Sequence, residues 1–239
     1  MKPVVLVTGA GRGIGAACAE RFAADGHPVV LLGRGAAALR SSERRVARVS
    51  GSRSLLALAG DVSDEAFVRA SFAATRRAFG PVEVLVNNAA VFLGGRVVSY
   101  GAADWDATMA ANLRGPFLCS REMLRQFRRR GARRRVIVSL SSLAGVPGTE
   151  KFAGSAAYAA SKAAVCALTE VLAVEGRPFG VDALALAPGA VETRMLRRAA
   201  PHLRGAPPAE IARVVAALAA GAPGLPSGAT VVLDTNRPA

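Results

Sequence analysis

The first fifteen residues constrain the fold more than any other stretch. The apolar run at residues 4 to 7 leads into Thr8-Gly9-Ala10-Gly11-Arg12-Gly13-Ile14-Gly15, and an alanine-rich segment of helical composition follows from about residue 13 to 24. Glycines at a strand-to-helix turn let the backbone approach a pyrophosphate closely, and the helix N-terminus offers unpaired N–H groups to its charge. The glycines at 9, 13 and 15, with one more at 11, depart from the GxGxxG fingerprint. As a bare pattern they would suit a tight turn; their strand-loop-helix setting favours a nucleotide loop.

Strand-like and helical segments alternate through the rest of the chain. Short apolar runs at 28–33, 54–60, 81–86, 133–140, 180–187 and 229–234 are separated by helical patterns at 36–49, from Ser63 to about 79, 102–130, 156–173 and 209–220. That order predicts an α/β fold, a Rossmann-type doubly wound parallel sheet of about seven strands in three α/β/α layers. With 239 residues and 51% hydrophobic content the chain can bury a large core, and no repeat or linker divides it, so one domain over residues 1–239 is expected. The run at 4–7 is too short for a signal-peptide core, and no stretch reads as long enough to span a membrane. Cys18, Cys119 and Cys166 are odd in number and far apart, which argues against a disulfide framework or a metal site. A cytoplasmic protein with no metal and no membrane association is expected.

The formal charge of +14 is nearly all arginine, since Lys2, Lys151 and Lys162 are the only lysines. Such a balance suits nucleic acid, an acidic protein or a phosphorylated ligand. The densest cluster is Arg125, Arg128, Arg129, Arg130, Arg133, Arg134 and Arg135, at a predicted helix end where cations complement the helix dipole. Few aromatics are interleaved with it, which weakens a single-strand nucleic-acid reading.

Candidate site residues gather at the ends of the predicted strands. Gly33-Arg34 closes the second run, where a dinucleotide fold meets the adenosine ribose; there is no acidic residue at that position to accept from a free 2′-hydroxyl. Arg34 and Arg12 would instead hold a 2′-phosphate, which predicts NADP(H) over NAD(H), unless both are solvated surface arginines. Asp61, followed by Val62, either contacts adenine or forms a turn, and Ser63 is the expected N-cap of the next helix, with Asp64 and Glu65 in its first turn. Asn87-Asn88-Ala89-Ala90 suits a place where carboxamides tie strands together and small residues leave room for a ring. Asn112 is a poor mid-helix residue and predicts a distortion or a buried hydrogen bond. Ser139, Ser141 and Ser142 end the fifth strand, and Tyr158 and Lys162 sit one helical turn apart, a phenol beside an ammonium that favours the phenolate. Pro188-Gly189 closes the sixth strand ahead of Val191 and Thr193, and residues 194–208 read as a mobile lid.

These motifs, from Thr8 to Gly15 through Asn87-Asn88-Ala89, Asn112, Ser142, Tyr158-x-x-x-Lys162 and Pro188-Gly189, resemble the short-chain dehydrogenase/reductase family in its compact single-domain form, close to the 3-oxoacyl-ACP reductases. The resemblance spans almost the whole chain. It implies that Tyr158 exchanges a proton with the substrate oxygen, that Lys162 holds the nicotinamide ribose and lowers the tyrosine pKa, that Ser142 stabilises charge on the carbonyl oxygen, and that Asn112 holds a water. By the same resemblance Gly9, Gly13, Ile14 and Gly15 cradle the pyrophosphate, Asp61 and Val62 flank adenine, Asn88 lies on the adenosine side and Thr193 meets the carboxamide or diphosphate. The expected reaction interconverts a small-molecule ketone and a secondary alcohol, with a 3-oxoacyl thioester carried on acyl carrier protein or CoA among the substrates; alternatives are a hydroxysteroid, sugar or other alcohol dehydrogenase, or a non-catalytic nucleotide-binding regulator. A homo-oligomer, tetramer or dimer, is implied too. The chain departs from the family at Ala90, in a longer loop through Gly148 to Ser155, and in Leu233-Asp234-Thr235-Asn236 where Asp-Gly-Gly is common.

Overall fold

The computed structural model describes residues 2–50, 54–129, 131, 133–221 and 224–236. Runs rich in valine and leucine form the strands β1 (Val4–Thr8), β2 (Val29–Gly33), β3 (Leu55–Ala59), β4 (Val82–Asn87), β5 (Arg135–Leu140), β6 (Val181–Pro188) and β7 (Thr230–Leu233). They pair in the order β3-β2-β1-β4-β5-β6-β7, parallel throughout. Helices α1 (Gly13–Ala24), α2 (Ala36–Ser50), α3 (Glu65–Phe79), α4 (Ala102–Met109), α5 (Gly115–Arg125), α6 (Ala156–Gly176), α7 (Arg194–Ala199) and α8 (Pro208–Ala220) connect them.

The pleat of β1 shows why an unbroken apolar run is required. Val5 and Val7 join a core with Phe22, Val46, Ile211 and Val215 on one face of the sheet, while Leu6 joins Phe72, Leu118, Met123 and Leu172 on the other. A strand covered by helices on both faces has no solvent side to give to polar residues. The strand order reverses between β1 and β4, so the crevice for a ligand opens at the C-terminal ends of these strands.

Several local expectations are corrected. The N-cap of α3 is Asp64, whose carboxylate accepts from the N–H groups of Ala66 (2.8 Å) and Phe67 (3.4 Å). Ser63 instead donates through both its hydroxyl and its N–H to Asp61 Oδ1. The helix expected over 102–130 is broken into α4, a π-helical turn at Ala110–Arg114, and α5, which stops at Arg125; Arg130 lies outside the described residues. Ala156–Phe179 is long and apolar enough to cross a membrane, with mean hydropathy 1.4, contrary to the sequence expectation. Its buried face, including Val165, Leu172 and Ala173, packs on the sheet as a core helix does.

The segment after β6 is not an open loop. Thr193 caps α7 by accepting from Leu196 N–H (3.2 Å), and the segment's far end returns to its start through Ala206 N–H to Ala190 O (3.1 Å) and Glu192 N–H to Ala206 O (2.9 Å). In the arginine cluster, Arg125 meets Glu122, Arg133 meets Glu83 and Arg134 meets Asp182, while Arg135 stacks 3.7 Å from the Phe127 ring centroid.

Candidate active site

The glycine loop is shaped from two sides. Gly9 (φ +65°) and Gly13 (φ +56°) take left-handed conformations that a side chain would strain. A Cβ on Gly9 would also come within 2.8 Å of Ala89 Cα, because the end of β4 is tied against the loop. Thr8 Oγ1 accepts from the N–H groups of Asn88 (2.9 Å) and Ala89 (3.0 Å), and Asn88 Nδ2 donates to Thr8 O (2.9 Å) and Gly9 O (3.3 Å). Asn88 and Ala89 therefore position the loop. The N-cap of α1 is Arg12, and no side chain caps it, so the first-turn N–H groups near Ile14 and Gly15 are open to an anion. Thr193 closes the far side: a Cβ on Gly13 would lie 3.2 Å from its methyl group. An uncapped helix start inside such a cradle fits a dinucleotide pyrophosphate.

Where β1 and β2 end, Ala10 N–H donates to Leu32 O (3.0 Å), and a Cβ on Gly33 would lie 3.8 Å from Gly11 N. Arg34 is 61% exposed and stands 3.6 Å from Asp61 Oδ2. The arginine that follows β2 is thus paired with an aspartate that follows β3. Burial pushes the Asp61 carboxyl up, but hydrogen bonds from Ser63 and the Arg34 charge outweigh it and hold it below the usual value. The Val62 side chain is buried against the start of α5.

The catalytic candidates converge at the ends of β5 and α6. Ser141 and Ser142, which the sequence left unresolved, are separated by their partners. Ser141 is buried, donating to Lys162 O (2.8 Å) while its own N–H donates to Leu186 O (2.7 Å). Ser142 Oγ accepts from Ala144 N–H (3.2 Å), and its hydroxyl is near enough to the Tyr158 phenol to influence its pKa. Lys162 is 3% exposed, donates to Leu140 O (2.6 Å), and lies 5.6 Å from the Tyr158 ring centroid. Burial pulls its pKa down to about 8, with Cys166 opposing. Burial likewise pushes the Tyr158 phenol up, partly offset by the Ser142 hydroxyl. The favouring of the phenolate expected from the Tyr158 and Lys162 spacing is not what the structure gives, since the phenol is raised. Desolvation dominates, and the ammonium is turned to a carbonyl.

Asn112 is fully buried inside the π-helical turn, so both the distortion and the buried bonding expected of it are present. Its side chain clamps Val91, accepting from the N–H (2.8 Å) and donating to the carbonyl (3.0 Å), and it also donates to Ser161 Oγ (3.1 Å).

Pro188 ends β6, and Gly189 N–H donates to Leu233 O (2.9 Å). Asn236 Oδ1 accepts from Ala190 N–H (2.8 Å) and Thr235 donates to Ala190 O (2.7 Å), so the unusual C-terminal residues brace the turn that leads to Val191 and Thr193. Sequence reasoning singled these residues out, with the longer loop carrying Thr149 and Lys151, only as departures from the family and gave them no bracing role; Phe92 it missed. Thr149 Oγ1 and Lys151 Nζ both donate to the carbonyls of Leu143 and Val146, stapling the longer loop onto the turn that follows Ser142.

A nucleotide cradle beside a Ser-Tyr-Lys cluster is one family's arrangement, and the short chain dehydrogenase family model matches residues 3–204. The chain belongs to the short-chain dehydrogenase/reductase family. It is 35% identical to the short-chain reductase protein NovJ of Streptomyces niveus, covering 98% of this chain and 94% of that one. It is 33% identical to the 3-oxoacyl-[acyl-carrier-protein] reductase MabA of Mycobacterium tuberculosis, over 96% of this chain and 90% of that one. Among solved structures, levodione reductase superposes with a TM-score of 0.86 at 31% identity, covering 97% of this chain and 96% of the other. A 3-ketoacyl-(acyl-carrier-protein) reductase from Brucella melitensis, complexed with NADH, has a TM-score of 0.84 at 30% identity, covering 97% and 96%. A short-chain dehydrogenase from Burkholderia cenocepacia, in complex with NADP, has a TM-score of 0.86 at 29% identity, covering 97% and 96%. This short-chain dehydrogenase/reductase is accordingly an NAD(P)-dependent oxidoreductase. Among the described residues no cluster of three or more His, Cys, Asp or Glu side chains could hold a metal.

Proposed function

We propose that this enzyme interconverts a ketone and a secondary alcohol, with NADP(H) preferred over NAD(H). The observation that carries the reading is the convergence of Ser142, Tyr158 and buried Lys162 at the ends of β5 and α6, with the uncapped start of α1 on the same edge of the sheet. A carbonyl oxygen placed between the two hydroxyls accepts from both. Tyr158 supplies its proton and Ser142 stabilises the charge developing on it. The bound nicotinamide supplies or takes the hydride. Lys162 is positioned to hold the nicotinamide ribose, and its charge then favours the Tyr158 phenolate. Asn112 keeps α4, α5 and α6 in register behind this pair. Gly9, Gly11, Gly13, Ile14 and Gly15 receive the pyrophosphate, Asn88, Ala89, Asp61 and Val62 border the adenosine side, and Pro188, Gly189, Val191 and Thr193 border the nicotinamide side.

Arg12 and Arg34 support the NADP(H) preference, because a half-free guanidinium held by one 3.6 Å ion pair can turn to a 2′-phosphate. The substrate is a small-molecule carbonyl compound, with carrier-bound or CoA-bound 3-oxoacyl thioesters included on the strength of the likeness to MabA. A groove of about 310 Å³ between α5 and α6, lined by Phe117, Leu124, Phe127, Leu168, Val171 and Phe179, suits a second copy of this chain in a dimer or tetramer of a cytoplasmic enzyme. The test is a panel of ketones and secondary alcohols followed by NADPH and NADH absorbance. The reading expects turnover with NADPH favoured, and it fails if no member is turned over with either nucleotide.

A further inference from the structure

The segment between β4 and α4 is held from outside at two points and folded on itself at a third, and one large side chain it carries is set against the Tyr158 ring. Both backbone groups of Val91 are bound by Asn112, the carbonyl of Leu93 accepts from the Tyr100 hydroxyl (2.6 Å), and Gly95 N–H donates to Gly154 O (3.1 Å). Between the first two anchors stands Phe92. Its ring meets that of Tyr158 edge-on, with centroids 5.4 Å apart and planes at 65°. Glycines make the room for this: a Cβ on Gly94 would lie 2.9 Å from Phe92 Cε1, and one on Gly95 would run into the Tyr100 ring. The facing loop, which contributes Gly154, is itself fixed by the Thr149 and Lys151 staple. Neither wall is a free loop end.

The geometry points to Phe92 as the residue that selects the substrate, favouring ketones with a flat apolar substituent, aryl or cyclic, beside the carbonyl. This rests on the reductase reading above and narrows it. An oxygen held by the Ser142 and Tyr158 hydroxyls places the substituents of its carbon within a few ångströms of a ring packed on Tyr158. A flat apolar group there gains an aromatic contact, whereas a hydrated or charged group loses water without a partner. Phe92 also limits the tilt of the Tyr158 ring, so it is a positioning residue as well as a wall.

The experiment measures kcat/KM for acetophenone, 2-butanone and acetoacetyl-CoA with NADPH in the wild type, Phe92→Ala, Phe92→Tyr and Gly94→Ala, with Tyr158→Phe as the chemical control. The wild type is expected to prefer acetophenone. Phe92→Ala should lower the acetophenone to 2-butanone ratio about tenfold, the size of one aromatic contact. Phe92→Tyr should retain the ratio, and NADPH affinity should stay unchanged in both. Gly94→Ala, which displaces the ring without removing it, should move the ratio in the same direction by less, and it carries the test if Phe92→Ala does not fold. Turnover that depends on Tyr158 but keeps one ratio in all variants overturns the assignment and leaves the reductase reading standing. No turnover of any ketone overturns both.

Discussion

The two ends of the cofactor edge are built differently. At the catalytic end, Asn112, Ser141 and Lys162 are buried, and their bonds to Val91, Ser161 and Leu140 join the β4–α4 segment, the π-helical turn, β5 and α6. At the adenosine end, Arg34 has a single 3.6 Å pairing with Asp61 and is mostly in solvent. Buried hydrogen bonds contribute about 1 kcal/mol each and cost more when one partner is left stranded, whereas exposed ion pairs contribute about 0 to 1 kcal/mol. Damage to these buried, bonded groups at the first end should therefore reach stability. At the second end it should reach cofactor choice alone.

Neighbouring serines give the sharpest contrast. Ser142→Ala should lower kcat by about 10² to 10³ with an unchanged melting temperature, as removal of one oxyanion donor does. Ser141→Ala should lower the melting temperature instead, because it removes a buried hydrogen bond to Lys162 O (2.8 Å); equal kinetic effects of the two variants would erase the distinction. Next in size, Asn112→Ala strands both backbone groups of Val91 and should lower the melting temperature by about 5 to 10 °C, read by calorimetry. At the exposed end, Arg12→Ala combined with Arg34→Ala should raise KM for NADPH about tenfold or more while KM for NADH and the melting temperature hold. A parallel loss for both nucleotides would show that the arginines do not read the 2′-phosphate.

A further effect lies in the pH dependence of the cofactor-free protein. Lys162 titrates near 8 in the folded state against 10.5 in the unfolded one, so between those values the unfolded chain holds the extra proton. Stability from this group therefore rises with pH across that window and is flat below it. The melting temperature of the wild type relative to Lys162→Met should climb from pH 8 to 10, and a flat difference would mean that the ammonium is not desolvated.

How much of this was legible in sequence follows from the range of each interaction. The sheet and its seven strands were readable because buried parallel strands need unbroken apolar runs, and the glycine loop and Tyr158 to Lys162 spacing are local patterns. Asn112 announced a distortion because asparagine suits a helix interior poorly, but its partners Val91 and Ser161 are 21 and 49 residues away. Ser141 and Ser142 have the same chemistry and differ only in the face of the chain they occupy. Asp61 was read as an adenine contact or a turn former, and its bonds to Ser63 are those of a turn; its pairing with Arg34 joins the ends of two strands and has no local signature. The displaced cap at Asp64 shows the same competition at close range, since Ser63 was already taken by Asp61.

The central claim is that Tyr158 gives the substrate its proton. Single-turnover oxidation of NADPH by a ketone that the wild type reduces, run beside Tyr158→Phe, tests it directly. The account predicts a loss of about 10³-fold or more in the chemical step with NADPH binding retained, and a variant that reacts at the wild-type rate would contradict it.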